Sequence, residues 1–403
     1  AADISLSTTG SWQNIDLSPH VPVGATGAIV EVVNTNNTNS YRGMVRGTED
    51  SNNYMSEPTD GEIRGREHRW QVVKVDSSRR IQGYISNTNV DFKLLGYTLG
   101  NDPEYFATPP DVTPGTIGSW VNVDVSSAVD PDATGVILLV YSATEAPEAF
   151  GIREVGSGYS TISLNLDARH NTMYMVGLDA NRRFQAYLSS LDVRLYLVAQ
   201  TKGSVVYYVD DVAVADPPTG SWQTLDADDY AVPAEANGLV FLAESTATRD
   251  IGFRHGSSND DWNKQIGANT HIQAAIGISS TNEWDERMGG TEVNVFIAAY
   301  TLGVVQMDVH ADMDILIRRA DGSVRQTLAT NVANTADITN TGWETFTVNY
   351  SFPGYTVVDQ TDYLEMDLFA EATSNTSEES VSVQFRIDDS TLPVDEQTRA
   401  RES

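Results

Sequence analysis

The sequence predicts an all-β protein: three tandem antiparallel β-sandwich repeats followed by a jelly-roll-like β domain. Three observations carry this reading. A Gly-Ser-Trp signature occurs three times at domain-sized spacing, short β-branched and aromatic runs lie between turn signals, and no stretch combines helical periodicity with caps.

Each repeat reads as one series of elements. Gly10-Ser11-Trp12 returns as Gly118-Ser119-Trp120 and as Gly220-Ser221-Trp222. Four residues beyond each tryptophan stands an aspartate (Asp16, Asp124, Asp226), preceded by Ile15, Val123 or Leu225, which marks a short strand. Ala25-Thr26-Gly27, Ala133-Thr134-Gly135 and Ala236-Asn237-Gly238 are turn signals. Each opens an apolar run (28–33, 136–141, 239–243) whose length and branching fit a buried strand. A Gly-to-Arg segment follows, from Gly43 to Arg46, Gly151 to Arg153 and Gly252 to Arg254. Next comes a strand–turn–strand unit, with turns at 76–79 and 179–182, and each repeat closes on an apolar strand ending at Gly100, Gly203 or Gly303. The recurring tryptophans are expected as core or rim plugs rather than sugar platforms. The recurring Asp and Arg are expected to pair, Asp16 with Arg46, at a sandwich edge.

These marks place sandwich repeats at 1–100, 116–203 and 220–303. Between them, 101–115 (Pro103, Pro109, Pro110, Pro114) and 204–219 (Pro217, Pro218) are expected to be extended linkers. Gly303 runs straight into Val304, so the third repeat and the last domain, 304–403, are expected to dock. In that domain Met307, Val309, Ala311, Met313, Ile315 and Ile317 alternate with Asp308, His310, Asp312, Asp314 and Leu316, the pattern of a half-buried strand. A turn at 320–323 and strand sets at 343–352, 364–370 and 381–387 complete the jelly-roll-like reading, ahead of an acidic tail at 395–403.

Composition narrows the function. The chain has 403 residues, too many for one domain, and 40% of them are hydrophobic, ordinary for a folded protein. Its 56 acidic residues against 25 basic ones give a formal charge of −31. Only Lys74, Lys93, Lys202 and Lys264 are lysines, so arginine supplies most of the cations. Such a surface fits molar salt, which shortens the Debye length to about 3 Å and relieves self-repulsion. It disfavours nucleic acid as a partner, because nothing neutralises phosphates. There is no cysteine, which excludes disulfides, thiolate metal sites and thiol catalysis. No apolar run is long enough for a membrane-spanning helix. The start at Ala1 fits either a removed initiator Met or a cleaved leader.

No catalytic constellation stands out, and no catalytic residue, metal site or cofactor is expected. The six histidines (His20, His68, His170, His255, His271, His310) show no metal-ligand spacing, and there is no GxSxG elbow or phosphate-cradling loop. Asp210-Asp211, Asp228-Asp229, Asp260-Asp261 and Asp388-Asp389 read as hydrated surface in so acidic a chain. The row Asp308, Asp312 and Asp314 could hold a cation at an oligomer interface. Loops at 34–41, 47–65, 257–262 and 279–284 set Tyr and Trp beside Asn, Ser and Asp, a composition suited to glycan or protein surfaces.

The run GSWxxxD, then A[TN]G with an apolar strand, then Gly-to-Arg, resembles tandem β-sandwich modules in structural proteins of tailed viruses. The stretch 385–393 with Asp395-Glu396-Gln397-Thr398-Arg399 is similar to the ends of virion-surface proteins. With the salt-adapted composition, this resemblance implies a haloarchaeal virus and a tail fibre, capsid turret or decoration protein. It also implies a homo-oligomer with other virion proteins as partners, which meets a host surface glycan or protein. The alternative is a secreted or cell-surface, glycan-binding adhesin of a halophile, which glycosylation at the sequons of Asn36, Asn349 or Asn375 would favour. A polysaccharide-degrading enzyme is the third class, carried only by the carboxylate doublets.

Overall fold

The computed structural model describes residues 1–52, 54, 61–100, 102–158, 165–215, 218–259, 264–302, 308–329, 361 and 363–374. The chain divides into two compact units, Ala1–Val304 and Val305–Ser403.

The first unit holds three two-sheet sandwiches of one topology. In repeat 1, strands Ala2–Asp3, Val90–Leu99, Ala25–Asn34 and His68–Lys74 form one sheet in that order. Strands Gln13–Asp16, Arg80–Ile85, Tyr41–Arg46 and Glu62–Ile63 form the other. Counted along the chain, the first strand pairs with the eighth, the third with the eighth and sixth, the second with the seventh and the fourth with the fifth and seventh. This is the eight-stranded jelly-roll arrangement, so the repeats themselves carry the topology expected of the last domain. Repeat 2 builds the same sheets from Asn171–Gly177, Gly135–Ser142, Val193–Thr201 and Glu104–Tyr105, and from Val121–Asp124, Arg183–Leu188, Glu148–Glu154 and Asn165–Leu166. Repeat 3 repeats it once more, with Val205–Ala213 in the place of the first strand.

The expected linkers therefore act differently from spacers. Residues of 101–115 run along Val193–Thr201: Phe106 N donates to Val198 O, Leu197 N to Pro110 O and Val112 N to Leu195 O. Residues of 204–219 pair with Val293–Leu302. Each segment supplies the edge strand that its following sandwich lacks, and its tyrosine turns back onto the preceding one. An ideal Cβ on Gly27 would lie 2.1 Å from the Tyr105 hydroxyl, and one on Gly135 would lie 2.1 Å from the Tyr207 ring. Only glycine admits those rings.

The sandwiches close on one another rather than forming the rod that extended linkers would give. Strands His68–Lys74, Asn171–Gly177 and Thr270–Gly277 occupy the same place in the three repeats, and each contacts the other two. Just before each lies a non-glycine residue in left-handed conformation, Arg66 (φ 64°), Arg169 (φ 59°) and Asn269 (φ 55°). Each of these presents its carbonyl to the neighbouring repeat. Glu62 N donates to Arg169 O at 3.2 Å, Asn165 N to Asn269 O at 2.7 Å, and Gln265 N to Arg66 O at 2.7 Å. The donors are equivalent, and so are the acceptors, so repeat 1 binds 2, 2 binds 3 and 3 binds 1. The result is a pseudo-threefold ring within one chain, in which the exposed strand edges of each sandwich are capped by its neighbours.

Packing follows the same symmetry. Trp70 of repeat 1 lies 6.3 Å from Phe253 of repeat 3, and Phe150 of repeat 2 lies 4.1 Å from His271 of repeat 3, centroid to centroid. Trp70, Val72, Met173 and Met175 share one buried cluster with Phe241, Ala275 and Trp284.

In the second unit, Val324–Ala329, Asp308–Arg318 and Tyr363–Ser374 form a three-stranded antiparallel sheet in that order. The predicted turn at 320–323 is present: Gly322 has φ 81° and Asp321 Oδ1 accepts from Ser323 N at 2.9 Å. The expected strand sets at 343–352 and 381–387 and the acidic tail at 395–403 lie outside the described residues.

Candidate functional site

The recurring Arg and Trp meet on the outside of each sandwich. The guanidinium of Arg46 lies 4.2 Å above the Trp12 ring, Arg153 lies 4.1 Å above Trp120, and Arg254 lies 4.2 Å above Trp222. The tryptophans are half-buried rim plugs, each capped by a cation–π contact. The expected Asp16–Arg46 pair gives way to strand register, which sets Asp16 opposite Arg80 and Asp124 opposite Arg183. Asp16, Asp124 and Asp226 instead cap a turn, accepting from the N–H two residues on at 2.9, 2.9 and 3.0 Å.

Tyr54 and Trp284 of the proposed recognition loops point inward. Tyr54 is 2% exposed and packs on Tyr196 (5.2 Å) and Tyr141 of repeat 2. Trp284 is 0% exposed, in the core of repeat 3. Asp260-Asp261, Trp262, Asp388-Asp389, Asn349 and Asn375 lie outside the described residues.

The strongest concentration of chemistry is on the ring's inner seam, where the repeats differ from one another. Arg64, Asp167 and Gly267 are equivalent positions, as are Glu67, His170 and Thr270. The ligand-type atoms of Glu67, Asp167 and His170 lie within 4.8 Å of one another, and all three residues are buried. Arg64 Nη2 donates to Asp167 Oδ1 at 2.7 Å, and Arg64 N donates to Glu67 Oε2 at 2.8 Å. His170 Nε2 lies 3.3 Å from Glu67 Oε2 but is not aligned for a hydrogen bond, so it is left without a partner, as is Asp167 Oδ2. Glycine at 267 makes room for Asp167, because a Cβ there would lie 3.1 Å from Oδ2. Beneath them Arg69, 2% exposed, donates through Nη1 to Asn171 O at 2.9 Å and through Nη2 to Glu62 O.

Burial dominates the electrostatics. It pushes Glu67 up to about 7, with the charge of Arg69 pulling the other way. It raises Asp167 against the pull of Arg64, and lowers Arg69 to about 10. It also drives His170 well below the usual imidazole value, helped by the cations of Arg69 and Arg64. His170 is therefore neutral at physiological pH, the form in which imidazole ligates a metal. Sequence spacing missed this group because its members come from two repeats. The signal that could have found it is the mismatch of polar residues at aligned positions of otherwise matching repeats.

His20, His68, His255 and His271 are structural or peripheral, and the His310 side chain lies outside the described residues. His68 Nδ1 pairs with Glu31 Oε1 at 2.7 Å inside repeat 1, His20 is exposed, and His255 contacts the Ser257 hydroxyl. Buried His271 is pushed down to about 3 by desolvation.

A second acidic group gives a pH prediction. Asp211 is pushed up to about 7 by burial, then by repulsion from Glu244 and Asp210. A carboxyl whose folded pKa is raised binds more protons folded than unfolded, so its stabilisation is full below the unfolded value and lost as pH rises through about 7. Asp211→Asn is expected to raise the melting temperature at pH 8 and leave it nearly unchanged at pH 4. Thermal melts across that range check it, and equal shifts at both ends would contradict it.

No known family matches the sequence, and no curated protein matches it. Among solved structures, the chain is similar to one described as "The Triple Jelly Roll Fold and Turret Assembly in an Archaeal Virus". The two share 11% identity over 75% of this chain and 84% of that one, with a TM-score of 0.20.

Proposed function

We propose that this chain is a structural protein of a virus particle, a tail fibre, turret or decoration component on the virion surface with a part in host attachment. The observation that carries the reading is the closed ring of three jelly rolls in one polypeptide. The ring spends its strand edges and inner faces on itself. That is the form of a building block, in which buried surface serves architecture. The resemblance of the sequence pattern to virion modules, and an acidic composition suited to concentrated salt, support the same reading. No activity is proposed: the two carboxylates and the histidine brought together on the seam are buried between the repeats that hold them.

Appendages follow particle symmetry, so the purified chain is expected to form a closed homo-oligomer. Light scattering in molar KCl and in dilute buffer tests this, with dissociation expected in dilute buffer as the acidic protomers repel. Immunogold labelling of virus particles from the source culture tests location. Labelled particle surfaces support the reading. Label on the cell envelope alone, with a salt-indifferent monomer, would replace it with the adhesin.

A further inference from the structure

We propose that Glu67, Asp167 and His170 bind one first-row divalent cation of the zinc type, which pins repeat 1 to repeat 2 on the inner seam of the ring. The inference does not depend on the virion reading and concerns how the block is held together.

The argument begins with two orphaned atoms. Asp167 is 4% exposed and its Oδ2 has no partner, and His170 is 8% exposed with Nε2 equally unpaired. Both residues bring a ligand-type atom within 4.8 Å of one another and of Glu67. Buried polar atoms are ordinarily satisfied. Here a carboxylate oxygen and an imidazole nitrogen stand unsatisfied side by side, and one cation would satisfy both. Their separation suits it. Ligand atoms about 2.1 Å from a metal lie roughly 3–4 Å from one another, so the 4.8 Å envelope needs only small side-chain rotations to close.

The donor set selects the ion. Calcium and magnesium take all-oxygen shells, whereas one imidazole and two carboxylates suit zinc, cobalt or manganese. Charge also allows it. Arg64 is the present counter-ion of Asp167, and its side chain is 47% exposed, so it is free to swing out and hand its carboxylate to the metal. That swing is also the entry path. The symmetry adds a further point. At these two aligned positions the third repeat carries Gly267 and Thr270, whose hydroxyl is turned to Gly267 O at 2.8 Å. The third repeat thus brings neither a carboxylate nor an imidazole to these positions, and its glycine packs directly against Asp167.

The test uses the full chain, stripped with EDTA and held in molar KCl so that surface carboxylates are screened. Zn²⁺ alone is titrated by calorimetry, and Co²⁺ is titrated in parallel to read its visible absorption. One equivalent per chain is expected, with a higher melting temperature on binding and cobalt bands of a nitrogen-bearing site. His170→Gln and Asp167→Asn are each expected to weaken binding at least about tenfold. Glu67→Gln serves as the third variant should either fail to fold. Failure to take up Zn²⁺, which would leave a bridging water as the occupant, overturns the proposal. So do several weak equivalents that persist unchanged in the folded variants, the mark of the acidic surface.

Discussion

Replacing Trp284 with alanine is expected to cost about 3–5 kcal/mol of folding stability. The indole is fully buried, 5.4 Å from the Phe241 ring and 5.7 Å from Tyr230, and Phe241 in turn stacks on Phe253 at 4.6 Å. Phe253 faces Trp70 of repeat 1, so the cavity would open beside the seam between repeats as well as within repeat 3. Denaturant unfolding of the first unit, followed by tryptophan fluorescence and circular dichroism, reads the loss. A change below about 1 kcal/mol, the size typical of surface positions, would return residues 279–284 to the role of an exposed recognition loop.

Arg69→Met is expected to cost a comparable amount, about 3–5 kcal/mol, because it strips one partner from a buried charge network. Volume is nearly kept, so the loss is electrostatic. Glu67 and Asp167 lose the cation that offsets their burial, and Asn171 O loses its donor across the repeat boundary. The double variant Arg69→Met with Glu67→Gln is expected to recover part of the loss, since a neutral pair no longer leaves that carboxylate uncompensated. Strictly additive losses in the double-mutant cycle would show that the two groups do not interact.

Much of the fold was legible because it is written three times. The Gly-Ser-Trp start, the buried strand after each Ala-x-Gly, and the turns at 76–79 and 179–182 all stand where the sequence places them. The turn chemistry also repeats. Arg79 and Arg182 are left-handed (φ 57° and 58°) and reach back to Ser18 O and Val21 O, and to Ser126 O and Val129 O, in their own repeats. What escaped was non-local. Residues 101–115 and 204–219 read as spacers because they carry clustered prolines, yet a proline carbonyl still accepts: Pro110 O takes Leu197 N. An edge strand's partner can lie in any repeat, so ring closure left no local mark. The Arg–Trp contact was assigned to Arg–Asp because charge suggested a partner that strand register then placed at the other end of the strand.

The seam escaped for a related reason. Matching residues reveal a repeat, whereas its chemistry sits where the copies disagree, at Arg64, Asp167 and Gly267 and at Glu67, His170 and Thr270. Three arginines or three glutamates facing one another on a pseudo-threefold axis would repel. Divergence at those positions is what a closed ring of fused copies requires and what a ring of identical separate chains could not supply.

The ring itself is the central claim, and single-residue hydrogen exchange on the native chain tests it most directly. The amides of Glu62, Asn165 and Gln265 bond only across repeat boundaries, to Arg169 O, Asn269 O and Arg66 O. The account predicts that all three exchange slowly, near the rate of core amides such as Leu138 and Val240. Gln265 decides the matter, because its bond joins the third repeat to the first. Exchange of Gln265 at the unprotected rate beside a protected core would mean an open chain of sandwiches and would contradict the ring.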